Sequence, residues 1–232
     1  MILYPGKRLF CAGQTGSGKT RGLIWHASMQ TLPIIVLDTK IDDTFSRELP
    51  DAHIRDRFSI DNLMAHYDKN PTCPPLILRP DPEQYDPEKL DGFLLEIYRT
   101  CDGACIVIDE LYMFHRGYTA GPGLVALLTR GRAKHLSVMM AAQRPAYLSQ
   151  FCLSETDAYL VYNLRLRADR ERLASVSGAP ELLEAPPNKF CYWCVNNEVP
   201  GAAFLQPPVP QIKKAHKINT LSPLDMEHIN FV

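Results

Sequence analysis

Short unbroken apolar runs alternate along this chain with stretches where apolar residues recur every three or four positions. Runs of strand length that are apolar throughout belong to strands buried on both faces, and the recurrent stretches belong to the helices that cover them. Residues 7–11, 33–37, 76–78, 104–108, 136–142 and 158–164 read as strands of this kind. Helices are expected from Gly18 to about Gln30 and from Pro122 through Leu124, Val125, Leu127 and Leu128, with Gly131 as terminator. A further helix ends near Gly178. The clearest one starts at Asp86, a capping residue, with Pro87 at its first position. Its apolar face is Leu90, Phe93, Leu94, Ile97 and Tyr98, and Asp102-Gly103 ends it. Residues 189–195 and 202–205 read as two more strands, joined as a hairpin across Asn196-Asn197. Residues 41–74, with scattered charges, His53 and His66, read as a peripheral segment holding one helix near 60–67. The pattern predicts an α/β fold: a mainly parallel sheet with helices on both faces, a C-terminal hairpin and an extended tail.

Length and composition narrow this picture only a little. A chain of 232 residues fits one large domain, expected over 1–206, with a proline-containing tail over 207–232. The tail's Lys213, Lys214, His216 and Lys217 suit an extended arm that wraps a neighbouring subunit or meets a partner. No apolar run approaches the ~18 to 20 residues of a membrane span, and the N-terminus lacks the apolar core of a signal peptide. A cytosolic protein without a membrane anchor of its own is expected. A net charge of −1 advertises no global field for nucleic acid, so such contacts would come from local patches. The seven cysteines are expected to be reduced thiols. Cys191 and Cys194 have half-site spacing for a metal, but no second pair matches it, and an apolar strand makes them packing residues.

Chemistry enters at Gly13-Gln14-Thr15-Gly16-Ser17-Gly18-Lys19-Thr20, a phosphate-binding loop between a strand and a helix. Its glycines let successive amide groups turn inward as an anion nest, and the following helix adds the positive end of its dipole. Lys19 is placed to reach the β- and γ-phosphates, and the Thr20 hydroxyl to ligate Mg²⁺. With Arg21, these residues form the expected nucleotide-binding set, with ATP and Mg²⁺ as cofactors. The strand over 104–108 ends in Asp109-Glu110. Asp109 suits Mg²⁺ through water, and Glu110, one position on, suits a general base for the attacking water. The strand over 136–142 ends in Gln143-Arg144-Pro145, which makes Gln143 a candidate sensor of the γ-phosphate and that water. Asp38-Thr39-Lys40 ends another strand, either beside the nucleotide or as a solvated turn.

About 90 residues separate the loop from Asp109-Glu110, enough for at least one extra strand, as in RecA-like motors with a catalytic Glu. Within that branch the chain resembles the FtsK–HerA superfamily of DNA-pumping ATPases. The carrying segments are the phosphate loop, Val36-Leu37-Asp38-Thr39-Lys40, Val107-Ile108-Asp109-Glu110, and Arg132 through Gln143-Arg144-Pro145. The bare motor, without accessory domains, resembles the genome-packaging ATPases of tailless, internal-membrane (tectivirus-like) viruses. A departure is His135-Leu136, where many relatives have a glycine before the strand.

The resemblance implies a catalytic set of Lys19, Glu110, Gln143 and Arg132, the last reaching the neighbouring subunit's nucleotide, with Arg130 as its competitor. It implies a homo-oligomeric ring, a hexamer, that packages double-stranded viral DNA into a preformed capsid, in the host cytoplasm or at the packaging vertex. DNA contacts would be to phosphates, from Arg116, Lys134, Arg165 and Arg167, with Arg170 and Arg172 nearby. The alternatives are another pump of the superfamily (conjugation, or phage extrusion of the zonula occludens toxin type), a nucleotide-dependent switch, or a kinase.

Overall fold

The protein is described here by a computed structural model covering residues 5–70, 73–198 and 202–210. β1 (Arg8–Ala12) leads through the glycine-rich loop into α1 (Lys19–Ser28) and back to β2 (Ile34–Leu37). α2 (Thr44–Glu48), β3 (His53–Arg55) and α3 (Ile60–Lys69) follow, then β4 (Leu76–Leu78), α4 (Pro87–Thr100) and β5 (Cys105–Ile108). A small hairpin of β6 (His115–Arg116) and β7 (Thr119–Ala120) precedes α5 (Pro122–Arg130), β8 (Ser137–Ala142), α6 (Gln150–Ser154) and β9 (Ala158–Val161). α7 (Arg167–Ser177) leads to the closing strands β10 (Tyr192–Asn196) and β11 (Ala203–Gln206).

Nine strands form one sheet in the order β11-β10-β9-β1-β8-β5-β2-β4-β3. From β9 to β3 every pairing is parallel, and β10 and β11 add an antiparallel edge. Side chains alternate between the faces, so each central strand feeds two cores. Leu9 and Cys11 pack with Leu23, Ile24 and Ala27 of α1 on one face. Phe10 and Ala12 pack with Leu94, Ile97, Leu124 and Leu127 of α4 and α5 on the other. Between β1 and β5 lies β8, the inserted strand that the long separation in sequence implied.

α4 and α5 are locked together by a buried carboxylate. Asp91 accepts from the Gly123 and Leu124 amides at 2.8 Å each, satisfying two donors that the α5 N-terminus would otherwise leave unpaired. The approach needs glycine, because a Cβ on Gly123 would lie 2.1 Å from the Asp91 carbonyl oxygen.

Four local expectations are corrected. Residues 41–74 hold two helices and the edge strand β3, whose three residues are too few and too polar to register as a run. α5 is not ended by Gly131, which keeps right-handed angles and continues into a 3₁₀ turn over Gly131–Lys134. The left-handed residue that stops it is His135, at φ +52°, a conformation that favours glycine. Asn196-Asn197 is not a two-residue hairpin turn, because the β10–β11 register pairs Val195 with Ala203. Instead the Asn197 side chain donates to the Thr156 carbonyl at 2.6 Å and ties the end of β10 to β9. The strand over 158–164 stops at Val161, and the arginines after it sit largely within α7 instead of preceding it. The tail expected over 207–232 lies outside the described residues beyond 210.

Candidate nucleotide site

The parallel strands bring their C-terminal ends to one edge, and the candidate residues gather there. The loop is pinned between two strand ends: the Gly13 amide donates to Ala142 O at 3.3 Å and the Gln14 amide to Asn163 O at 3.0 Å. A Cβ on Gly13 would sit 2.4 Å from Ser17 Oγ and 2.8 Å from Tyr162 Cβ, so only glycine allows the loop to close this tightly. Gly18 caps α1 at φ +100° with no side-chain acceptor, leaving the helix's first amides for a ligand. A cleft of about 310 Å³ opens over the loop, bordered by Gly16, Lys19, Thr20, Lys40 and Gln143. Lys19 is 95% buried at its floor, and burial, reinforced by the nearby Lys40 charge, pulls its pKa below the usual lysine range. Arg21 borders the same cleft, its Nε 3.6 Å from Glu48 Oε1.

Asp109 is fully buried at the end of β5, and the Thr20 hydroxyl donates to its Oδ1 at 2.9 Å. A hydroxyl and a carboxylate side by side are hard oxygen donors of the kind that share Mg²⁺ with water and phosphate. Glu110, one residue on, accepts from Gln143 Nε2 at 3.3 Å, and the Thr15 hydroxyl donates to Gln143 Oε1 at 2.9 Å. The amide thus bridges the phosphate loop and the proposed base.

Lys40 completes the cluster. Its Nζ lies 2.9 Å from Asp109 Oδ2 and 3.2 Å from Glu110 Oε2. Burial works against the ammonium charge, but the two carboxylates outweigh it and raise the Lys40 pKa. The sequence left Lys40 as one of three polar residues at a strand end. What singles it out is register, since β2 pairs with β5 and Leu37 lies opposite Ile108. Asp38 turns away instead, fully buried against Arg79 Nε at 3.1 Å, and its Oδ1 accepts from the Ile41 amide at 2.9 Å. Burial raises the Asp38 pKa despite Arg79.

Arg132 is not in this cluster. It lies at the opposite edge of the sheet, against Gly6 before β1, exposed and without an ion pair among the described residues. Arg130 is held within its own chain, its guanidinium 5.2 Å from the centre of the Tyr98 ring. The candidate DNA-contacting residues scatter. Lys134 donates to Tyr98 O at 2.8 Å and caps the end of α4, so it is no free surface cation. Arg116 pairs with Glu88, and Arg167 pairs with Glu171 at 2.7 Å, both in solvent. Arg165 is exposed and borders a hollow it shares with Thr15, Gln143 and Arg144. Cys194 lies on β10 among the apolar residues facing α1, and Cys191, just before that strand, is buried.

No protein-family model matches the chain. It is 30% identical to the DNA packaging ATPase P9 of Enterobacteria phage PRD1 over 222 residues, 91% of this chain and 81% of that protein. In fold it is similar to the genome packaging NTPase B204 of Sulfolobus turreted icosahedral virus 2, with a TM-score of 0.65 at 14% identity over 90% of this chain and 100% of that one. ATPase domains 2 and 3 of EssC from Geobacillus thermodenitrificans give a TM-score of 0.54 at 13% identity, over 96% of this chain and 43% of that one. The sequence match across nearly the whole chain, on the fold just described, makes this protein a member of the DNA packaging ATPase family of phage PRD1 P9.

Proposed function

We propose that the protein hydrolyses ATP to drive double-stranded viral DNA into a preformed capsid. The observation that carries the chemistry is the contact between Gln143 and Glu110 directly over the phosphate loop, with Asp109 and Thr20 paired beside it. Inward-facing amides from Gly13 to Gly18 would hold the phosphates, and Lys19 would neutralise the charge that moves onto the leaving group. Thr20 and Asp109 would hold Mg²⁺, which when bound supplies charge neutralisation across the β- and γ-phosphates. Glu110 accepts the proton of the attacking water, and Gln143, fixed by Thr15, aligns that water with the loop. Lys40 holds the carboxylates of Asp109 and Glu110 at fixed separation and offsets their mutual repulsion.

The family assignment favours packaging over conjugation, extrusion, a switch or a kinase. DNA and capsid proteins are the partners this implies, at a packaging vertex or in the host cytoplasm. No helix among the described residues is long and apolar enough to cross a membrane. A ring, of six subunits in our reading, is supported by Arg132, a cation remote from its own site and free to complete the next one. The test is ATP turnover with and without duplex DNA, beside Glu110→Gln. We expect DNA to stimulate the natural protein, and the variant to bind ATP while losing at least about a hundredfold in turnover. A variant that still turns over removes Glu110 as the base.

A further inference from the structure

The cleft over the phosphate loop does not end there. A second hollow of about 90 Å³ adjoins it, and Gly18, Arg21 and Phe190 border both. The two ends are chemically unlike. Glu110, Gln143 and Lys40 gather at one, around the place where a terminal phosphate would be attacked. The small hollow at the other is bordered by Phe190, Tyr162, Pro208 and Val209, with no carboxylate. A nucleoside triphosphate has the same polarity, charged at one end and flat and aromatic at the other.

Phe190 is an unusual residue in this place. It takes a left-handed conformation, φ +66°, that side chains other than glycine rarely adopt, and it leaves 43% of its surface exposed. The ring lies against the phosphate loop. Its Cδ1 is 3.3 Å from where a Cβ on Gly18 would be, and Lys189 Nζ lies 4.8 Å from its centre. The chain thus holds an exposed aromatic ring in a disfavoured backbone conformation against the mouth of the phosphate loop. Nothing in the packing of the core calls for that.

We infer that the base of the bound nucleotide stacks on Phe190, in a slot closed by Arg21 on one side and by Pro208 and Val209 on the other. The inference rests on the proposal that the loop binds a nucleoside triphosphate. Of the side chains lining the slot, Arg21 and Tyr162 carry hydrogen-bonding groups; Arg21 Nε is buried near Glu48 and the Tyr162 hydroxyl is buried, while the exposed Lys189 ammonium lies over the Phe190 ring and does not line the slot. The subsite therefore grips a base by its face and has little to read its edge, so adenine and guanine nucleotides bind alike.

The experiment is calorimetric titration of the full chain, with Mg²⁺, using ATP, GTP and inorganic tripolyphosphate. Phe190→Ala is expected to weaken ATP and GTP about tenfold each while leaving tripolyphosphate unchanged, and Phe190→Tyr to keep natural affinity for all three. Unchanged ATP and GTP affinity in Phe190→Ala overturns the stacking role, as does equal loss of all three probes, which makes Phe190 a support of the loop only. A natural chain that binds none of the probes overturns the nucleotide site itself, a separate failure. A readout on the unaltered chain is the fluorescence of 2-aminopurine riboside triphosphate. Stacking quenches it on binding; undiminished fluorescence in the bound state overturns the inference.

Discussion

Lys19 shows at the scale of one residue how a binding site stores instability. Its ammonium is buried beside a second cation, and its lowered pKa means that the folded chain holds the proton less tightly than the unfolded chain does. At every pH below that folded value the charged lysine therefore costs folding energy, and the cost fades only as pH rises past it toward the ordinary lysine value. Removing the charge at neutral pH relieves the cost. Lys19→Met should raise the urea midpoint of the ligand-free protein while abolishing the stabilisation that ATP gives the natural chain. A lower midpoint would mean that the apolar stem and its contacts matter more than the charge. His26 gives the same sign of pH dependence in a lower window. Burial depresses its pKa to about 4, so between pH 6.5 and 4 the unfolded chain takes up a proton that the folded chain refuses. Stability should fall by about 3 kcal/mol as pH drops through that window, and His26→Leu should flatten this part of a denaturation-versus-pH profile. Residue identities at the site were legible in the sequence because the phosphate loop and the Asp109-Glu110 strand end are local patterns. The Lys40 contacts were not, because they depend on which strands lie side by side, and β2 and β5 are far apart in the chain.

Among elements, the long apolar runs and the helix begun by Asp86-Pro87 were readable because burial on both faces and capping leave strong local marks. Failures fell where tertiary contacts replaced local rules. β3 owes its existence to pairing with β4, and the end of β10 is tied down by Asn197 reaching across to β9. The α5 terminus is the most instructive of these. A glycine stands in the place where a terminator is expected, yet the chain turns four residues later, at His135. The His135 side chain is exposed, with no side-chain hydrogen bond or ion pair among the described residues to offset the left-handed backbone. His135→Gly should therefore stabilise the protein by about 0.5–1 kcal/mol, the strain relieved less the extra chain entropy of glycine. Equilibrium unfolding in denaturant measures it. A loss of stability would show that the imidazole makes a contact outweighing that strain.

For the whole molecule, the decisive geometry is the separation of Arg132 from the cluster around Glu110. If each site is completed by the next subunit, Arg132→Ala and Glu110→Gln disable the same interface from opposite sides. Each alone should be nearly inactive, Arg132→Ala by about 10³ or more. Mixed in equal amounts and reassembled, they should regain activity, because about a quarter of random neighbouring pairs then join an intact Glu110 to an intact Arg132. Self-contained sites would give no recovery, and ATP turnover of the mixture against each variant alone decides between them.

In the proposed ring, β8 would give this arrangement a sense of direction. One short strand carries Gln143 at one end and follows directly from the turn that bears Arg132 at the other. Its six residues span about 20 Å of fully buried, doubly paired backbone, too stiff to absorb a shift at either end. If Arg132 touches the neighbour's phosphates, as proposed, the strand would act as a push-rod: the state of the fuel in one chamber would be felt by the residue proposed to align water in the next. Such a coupling would have a head and a tail, so around the proposed ring it would favour firing that circulates one way, as a turnstile does.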